Sequence, residues 1–276
     1  MTLVAEPASA SASAQDANTG SLIYDLHAAE ARERRASVVP WYDMPHTMTD
    51  ASLELENAAI LLNPEPLALE MRIQRLPSGQ LHVAARTDMP HCKGRMFEWW
   101  FRFAPDTQQY AWWHPIDHLS SRWLETSTTT HVGSTHVVEE KLGGDDVHAL
   151  QIHFIDEAET FGEAAAQARQ RGNVSALVCA TIGFGDDPAR DDRGRPAGAR
   201  LAHIARDSED GLVLRSRFWL GAGLGLPPKE TAEAAPEGLG LGLMRHANTE
   251  FKYLARFLPS LYNAENRDSE TPTLPW

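Results

Sequence analysis

Cysteine is scarce in this sequence, which has only Cys92 and Cys179 among its 276 residues. Two distant cysteines exclude a disulfide-stapled secreted fold and a zinc knuckle built from paired thiolates. Long hydrophobic runs are also missing, because none approaches the ~20 residues that a membrane-spanning helix needs. The amino terminus has no basic stretch followed by an apolar one, so no secretory signal is predicted. Together these absences predict a reduced, cytoplasmic protein.

Positively charged residues are also few relative to negatively charged ones. The chain has 25 Lys and Arg against 38 Asp and Glu, which gives a formal net charge of −13. Such a chain is repelled by nucleic acid and by anionic membrane surfaces, so we expect neither as its main partner. Hydrophobic residues make up 42% of the sequence. That is enough for a sizeable core in one large domain, alone or with a smaller one.

The order of predicted elements is strands first and a long helix last. Residues 1–19 are rich in Ala and Ser without periodicity, which predicts a disordered tail. Two β-hairpins are predicted, one turning at Pro77–Gly79 and one around Asp210 and Gly211. Further strands are predicted at Tyr110–Trp113, His136–Leu142, Val147–Ile155 and Val174–Gly183. Helices are predicted at Ala28–Arg35 and Ala158–Arg171, and a Gly/Pro-rich loop at Gly221–Gly242.

The segment Met244–Leu258 is the clearest helix of the sequence, and we expect Pro259 to end it. Its apolar residues recur at steps of three and four, as Met244, Ala247, Phe251, Leu254 and Leu258. A second stripe beside the first consists of His246, Glu250, Tyr253 and Phe257. A helix with so wide an apolar arc is expected to be buried on more than one side. This predicts an α+β domain whose antiparallel sheet curls around the last helix.

Within that helix, His246 and Glu250 are four residues apart, so both side chains project from one face and can converge on one ion. Imidazole nitrogen and carboxylate oxygen together suit Zn²⁺. A surface His–Glu pair has the same spacing. The apolar neighbours favour burial instead, and a buried glutamate needs a partner that a cation can supply.

The segment Trp112–His118 offers His114, Asp117 and His118 within five residues, among aromatic side chains. Pro115 excludes a regular central strand, so we expect a bend that can turn side chains into a site. Each histidine can also be a core residue with a satisfied hydrogen bond, and both interpretations stay open from the residues alone.

Two neighbouring strands carry charged residues in alternation. Glu139 and Glu140 are adjacent, so a strand turns one of them toward the inner side of the sheet, unless the strand is an edge with both charges in water. In the segment after His203, Arg215 and Arg217 alternate with Ser216 and Phe218. We expect these arginines to be structural ion-pair donors.

Five ordered segments carry a resemblance to one enzyme family. They are F-E-W-W-F at 97–101, W-H-P-I-D-H at 113–118, V-E-E-K-L-G-G at 138–144, R-S-R-F-W-L-G at 215–221 and R-H-A-N-T-E-F-K-Y-L-A-R-F-L-P at 245–259. The sequence resembles the zinc-dependent diacetylphloroglucinol hydrolases and their phloretin-hydrolase relatives, from about Asp88 to Tyr262. The resemblance implies a Bet v1-like catalytic domain at 88–276 and a small region at 20–87 that helps form a homodimer.

The resemblance also implies a reaction and its residues. Family members hydrolyse an aryl–acyl C–C bond of an acylphloroglucinol-type ketone, with a zinc-bound water attacking the carbonyl. Matched position by position, the zinc ligands are His118, Glu140, His246 and Glu250. Tyr110 matches a tyrosine that hydrogen-bonds a substrate hydroxyl. Two substrate-binding positions depart from the family, where Ser121 stands for Asn and Phe218 for Tyr. His203 is our first candidate for the acid that protonates the leaving aryl carbon, and His114 the second.

Two other functions stay open. A metal-free carrier of phenolics or lipids can use the same scaffold, although it needs no His/Glu cluster. A metal-dependent ester or lactone hydrolase differs only in the bond it cleaves, and the departures at Ser121 and Phe218 leave room for it.

Overall fold

An eight-stranded antiparallel sheet forms the frame of the structure, a computed structural model that describes residues 53–65, 67 and 70–267. The strands are β1 (Arg72–Arg75), β2 (Leu81–Pro90), β3 (His118–Leu124), β4 (Thr135–Lys141), β5 (Val147–Ile155), β6 (Ala176–Phe184), β7 (Gly198–Asp207) and β8 (Gly211–Leu220). Their order across the sheet is β1-β2-β8-β7-β6-β5-β4-β3. The predicted tail at 1–19 and the predicted helix Ala28–Arg35 lie outside the described residues.

Within the described residues, one short 3₁₀ helix and six α-helices accompany the sheet. The 3₁₀ helix is Leu55–Leu62, and the α-helices are α1 (Gly94–Phe103), α2 (Thr107–Trp113), α3 (Ala158–Phe161), α4 (Ala164–Gln170), α5 (Pro228–Ala234) and α6 (Glu237–Glu265). The predicted apolar stripe of the last helix is fully buried against the inner face of the sheet. The α+β class and the Bet v1-like architecture, a sheet wrapped around the C-terminal helix, are therefore confirmed. No helix in the described ranges is long and apolar enough to cross a membrane.

Three predicted elements are wrong, each for a local reason. Tyr110–Trp113 is the end of α2 and not a strand, because Asp106 and Gln109 form a capping box that starts a helix. The predicted helix Ala158–Arg171 is split into α3 and α4 at Gly162, whose φ of +58° is left-handed. The predicted loop Gly221–Gly242 contains α5 and the start of α6, and α5 begins with a proline at its first turn.

The last helix also runs past Pro259, where we expected it to stop, and continues to Glu265. Pro259 has no N–H to donate to the carbonyl of Ala255. The Cys92 thiol donates a weak hydrogen bond to that carbonyl at 3.9 Å instead. The added turn buries Tyr262, whose ring meets Trp99 edge-on at 5.3 Å.

The first two strands belong to the same sheet as the rest. β2 pairs with β8 along its whole length, from Leu81–Leu220 to Pro90–Gly211. The expected domain boundary between residues 87 and 88 therefore falls inside β2, because its backbone hydrogen bonds cross that point. On the outer face of β8, Arg215 and Arg217 both pair with Glu70, at 2.8 and 2.6 Å, as expected for structural ion-pair donors.

The backbones of α6 and the β4–β5 turn touch at two glycines. Gly143 has a left-handed φ of +72° and lies against Gly242 of α6. A Cβ atom at residue 242 would overlap the carbonyl oxygen of Leu142. Since the obstacle is backbone, no side-chain rotation can relieve it, and only glycine lets the helix approach β4 this closely.

We therefore expect Gly242→Ala to lower the melting temperature. Overpacking of this kind costs about 1–3 kcal/mol, which exceeds the ~1 kcal/mol that alanine gains over glycine in a helix. Gly238→Ala is the matched control, because a Cβ at residue 238 of the same helix meets no atom within 4 Å. Thermal unfolding followed by circular dichroism checks both variants. Equal melting temperatures for the two would contradict the close-approach constraint.

Candidate metal centre and adjoining cavity

Four polar side chains meet between the inner face of the sheet and α6. His118 begins β3 and is the cross-strand partner of Glu140 on β4. His246 and Glu250 lie one helical turn apart on α6. All four residues are 7% exposed or less. The structure thus brings together the complete predicted ligand set from two strands and one helix.

The facing atoms of the four side chains are close to one another. His118 Nε2 lies 3.6 Å from both Glu140 Oε2 and Glu250 Oε2. His246 Nε2 lies 3.8 Å from Glu140 Oε2 and 3.9 Å from Glu250 Oε2. Ligands on a tetrahedral zinc ion, with bonds of about 2.0–2.1 Å, are separated by about 3.3 Å. The four histidine–glutamate distances are thus a few tenths of an ångström longer than in such a site, and His118, His246 and Glu250 each offer an atom within 4.8 Å of the other two.

Strand alternation decides which glutamate faces inward. Glu140 shares the inner face of β4 with Val138 and is 5% exposed. Glu139 is exposed on the other face, where it accepts a hydrogen bond from Ser120 Oγ at 2.9 Å. The inward position expected for Glu140 agrees with this arrangement.

The other nitrogen of each histidine is held by a neighbour. His118 Nδ1 lies 2.9 Å from the carbonyl oxygen of Tyr110, and His246 Nδ1 lies 3.1 Å from Asp117 Oδ2. The Tyr110 hydroxyl donates a hydrogen bond to Glu140 Oε2. Such outer partners fix the tautomer and orientation of a metal-binding histidine.

The tautomer of His118 leaves a lone pair without a proton donor. A carbonyl only accepts, so His118 Nδ1 carries the hydrogen and donates it to Tyr110. Burial holds the pKa of His118 well below its usual value, so the ring is neutral. Among the residues that the structure describes, its Nε2 has no hydrogen-bond partner, and it faces two carboxylates. A cation between these groups would satisfy the lone pair and both acids, so the residues fit a divalent metal.

Burial also raises the pKa of both glutamates, to about 8 for Glu250. His246 behaves in the opposite way to His118. Burial alone would lower its pKa, but the Glu140 carboxylate and the hydrogen bond to Asp117 raise it to about 9. In the protein without metal, one proton on His246 balances part of the acidic cluster. A bound cation would take over that balancing role.

A mainly apolar cavity opens from this centre into the space between the sheet and α6. Its polar lining includes Tyr110, His136 and His203 in addition to three of the four clustered residues. Aromatic and aliphatic walls make up the rest, namely Phe101, Trp113, Leu142, Leu150, Ile152, Phe154, Ile182, Phe184, Leu201, Phe218, Leu220 and Leu243. Three of the predicted substrate or catalytic residues, Tyr110, His203 and Phe218, thus face the cavity.

The other two predicted substrate or catalytic residues do not line the cavity. Ser121 lies behind His136, to which it is hydrogen-bonded at 2.8 Å. His114 is fully buried on the far side of His246, with the two rings stacked at 4.9 Å and His114 Nε2 3.3 Å from Asp117 Oδ2. In this position His114 contacts Asp117 and not the cavity. Of the two candidate proton donors, only His203 borders the cavity.

Sequence reasoning gave no role to two residues of the site. His136 could have been found, because it is four residues before Glu140 on a strand and therefore shares its inner face. The contact of Asp117 with His246 could not, since it depends on how the Pro115 bend packs against a helix 129 residues later.

Comparisons with known proteins identify the family of the chain. The sequence model of the DAPG hydrolase PhiG domain matches residues 53–263, most of the chain. The 2,4-diacetylphloroglucinol hydrolase of Pseudomonas protegens is 29% identical over 234 residues, which cover 75% of this chain and 72% of the relative. The phloretin hydrolase of Eubacterium ramulus is 27% identical over 208 residues, which cover 69% and 70%.

Among solved structures, a protein from Arthrobacter aurescens aligns with a TM-score of 0.40 and 14% sequence identity, over 68% of this chain and 93% of that chain. The family match over residues 53–263 confirms the resemblance inferred from the five sequence segments. The chain belongs to the DAPG hydrolase family and is a hydrolase.

Proposed function

We propose that this protein cleaves the aryl–acyl C–C bond of acylphloroglucinol-type phenolic ketones with a zinc ion held by His118, Glu140, His246 and Glu250. One observation carries the proposal, namely two imidazole nitrogens and two carboxylates that converge at one end of an aromatic cavity. The names of the relatives support the substrate class. A metal-free carrier is disfavoured, because a carrier has no use for two buried glutamates facing a histidine lone pair.

Zinc held by this set would act as a Lewis acid, polarising the ketone oxygen and acidifying water. The chain's own residues do the rest. The aromatic walls hold a flat ring and exclude bulk water from it. The hydroxyl proton of Tyr110 is donated to Glu140, so Tyr110 can accept a hydrogen bond from a phenolic hydroxyl. The hydrogen bond to a substrate hydroxyl that the resemblance implies for Tyr110 would then have Tyr110 as its acceptor.

We assign His203 as the group that protonates the leaving aryl carbon. Burial lowers its pKa to about 3, so the ring is neutral before reaction. Its Nδ1 lies 2.9 Å from Ser216 Oγ, which holds the ring against the cavity. A neutral ring has no proton to spare, so the proton comes from the attacking water. Negative charge that develops on the aryl group raises the proton affinity of the nearby imidazole, which takes up the proton that the water loses on adding to the carbonyl and passes it to the aryl carbon. The homodimer and the cytoplasmic location expected from the sequence stay predictions.

We expect about one zinc per chain in the purified protein, and loss of both metal and activity on chelation. Glu140→Gln should lose most of the metal, because it removes one of two charged ligands. Glu139→Gln is the matched control and should keep it, since that side chain lies on the outer face. Elemental analysis of the purified proteins and an assay of ketone hydrolysis check both expectations. A metal-free protein with full activity would contradict the proposal, and metal loss only in Glu139→Gln would shift the strand register by one residue.

Substrate choice should depend on Phe218, which borders the cavity 6.0 Å from His203, ring centre to ring centre. Phe218 offers no hydrogen bond, so the pocket should prefer mono-acyl or bulkier, more apolar acyl phenols over diacetylphloroglucinol. We expect Phe218→Tyr to raise the diacetyl-to-monoacetyl ratio of kcat/KM by about 5-fold or more, the effect of roughly one hydrogen bond.

Phe103→Tyr is the control for this test, because it adds the same hydroxyl to a ring outside the cavity, stacked on Trp99. Steady-state kinetics on both ketones and on aryl esters check the prediction. An unchanged ratio in Phe218→Tyr means that this residue does not set specificity. Faster turnover of the esters than of either ketone would favour an ester or lactone hydrolase.

A further inference from the structure

His136 is a polar cavity residue whose hydrogen-bonding state follows from its surroundings. It lies on the inner face of β4 and is 3% exposed, yet it borders the cavity. Its ring stacks on Trp123 at 4.0 Å and meets Tyr110 edge-on at 5.0 Å. These two rings hold the imidazole in one orientation, so its two nitrogens have distinct environments.

One nitrogen is occupied by Ser121. The hydroxyl oxygen of Ser121 lies 2.7 Å from the carbonyl oxygen of Pro105 and 2.8 Å from His136 Nε2. A carbonyl can only accept, so the single hydroxyl proton of Ser121 is donated to Pro105. The Ser121 oxygen must then accept from His136, and Nε2 carries the ring hydrogen.

The other nitrogen is consequently an acceptor. Burial lowers the pKa of His136 to about 3, so the ring carries one proton only, on Nε2. Its Nδ1 therefore has a lone pair, and within the described ranges the hydrogen bond of this ring is the one at Nε2. Two other polar groups of the cavity already have one partner each, because the Tyr110 hydroxyl donates to Glu140 and His203 Nδ1 lies 2.9 Å from Ser216 Oγ.

We propose that His136 is a specificity-determining residue whose Nδ1 accepts a hydrogen bond from a phenolic hydroxyl of the substrate. Ser121 is a positioning residue, because it holds the tautomer that makes Nδ1 an acceptor. The inference rests on the proposed function for the identity of the substrate. It adds that the ring must carry a free hydroxyl where it meets His136, since an O-methyl group has no proton to donate and leaves a buried acceptor unpaired.

The test compares 2,4,6-trihydroxyacetophenone with its two mono-O-methyl ethers on the zinc-loaded, full-length protein. Calorimetric titration gives Kd for each compound, and steady-state kinetics gives kcat/KM. For the wild type we expect at least one ether to bind about 10- to 100-fold more weakly, the effect of one unpaired buried acceptor. In His136→Phe, the ratio of the Kd of that ether to the Kd of 2,4,6-trihydroxyacetophenone should fall to about 2-fold or less. In Ser121→Ala, which keeps the ring, it should fall to an intermediate value.

His153→Phe is the matched control, because His153 also bonds a hydroxyl, Thr135 Oγ1 at 2.9 Å, but on the outer face. It should keep the wild-type ratio. A wild-type ratio retained in both His136→Phe and Ser121→Ala overturns the inference, as does equal binding of all three compounds by the wild type. Binding without hydrolysis would instead overturn the proposed function, and the Kd ratios would still decide the role of His136.

Discussion

The site depends on the repulsion between groups that the fold forces together out of water. In a buried space, the Nε2 lone pair of His118 lies 3.6 Å from an oxygen of each of two glutamates, Glu140 and Glu250. Burial disfavours the ionised forms of these groups, because it raises the pKa of both acids and lowers the pKa of His118. A structural core would gain nothing from this arrangement, because apolar residues of the same volume avoid the desolvation cost. A cation converts the same repulsion into binding energy.

The fold opposes that repulsion with rigid elements. Cross-strand pairing fixes His118 beside Glu140, and one turn of α6 fixes His246 above Glu250. The approach of Gly242 to Leu142 sets the distance between helix and strand. The contacts of His118 with the Tyr110 carbonyl and of His246 with Asp117 then orient the two imidazole rings. The geometry is therefore present before any ligand binds, which is what fast and selective chemistry requires.

The sequence predicted those parts of the fold and of the site that depend on a single helix or strand periodicity. The double stripe of the last helix predicted the burial of His246 and Glu250. Strand alternation allowed only one of Glu139 and Glu140 to face inward, and the resemblance to the family selected Glu140. Features that no periodicity shows decided the rest. A capping box places Tyr110 in a helix. The Cys92 thiol, far from Pro259 along the chain, donates a weak hydrogen bond to the Ala255 carbonyl, which Pro259 has no N–H to satisfy. Ser121 acts through a histidine on the neighbouring strand, which no spacing rule reveals.

The most direct test of the metal centre is X-ray absorption at the zinc edge of the zinc-loaded protein. The account predicts a first shell of nitrogen and oxygen only, at about 2.0–2.1 Å, with the outer-shell scattering of two imidazole rings. Glu140→Gln should alter that shell, while Glu139→Gln should leave it unchanged. Sulfur in the first shell, or a shell of oxygen alone without imidazole scattering, would contradict the assignment of His118 and His246 as ligands.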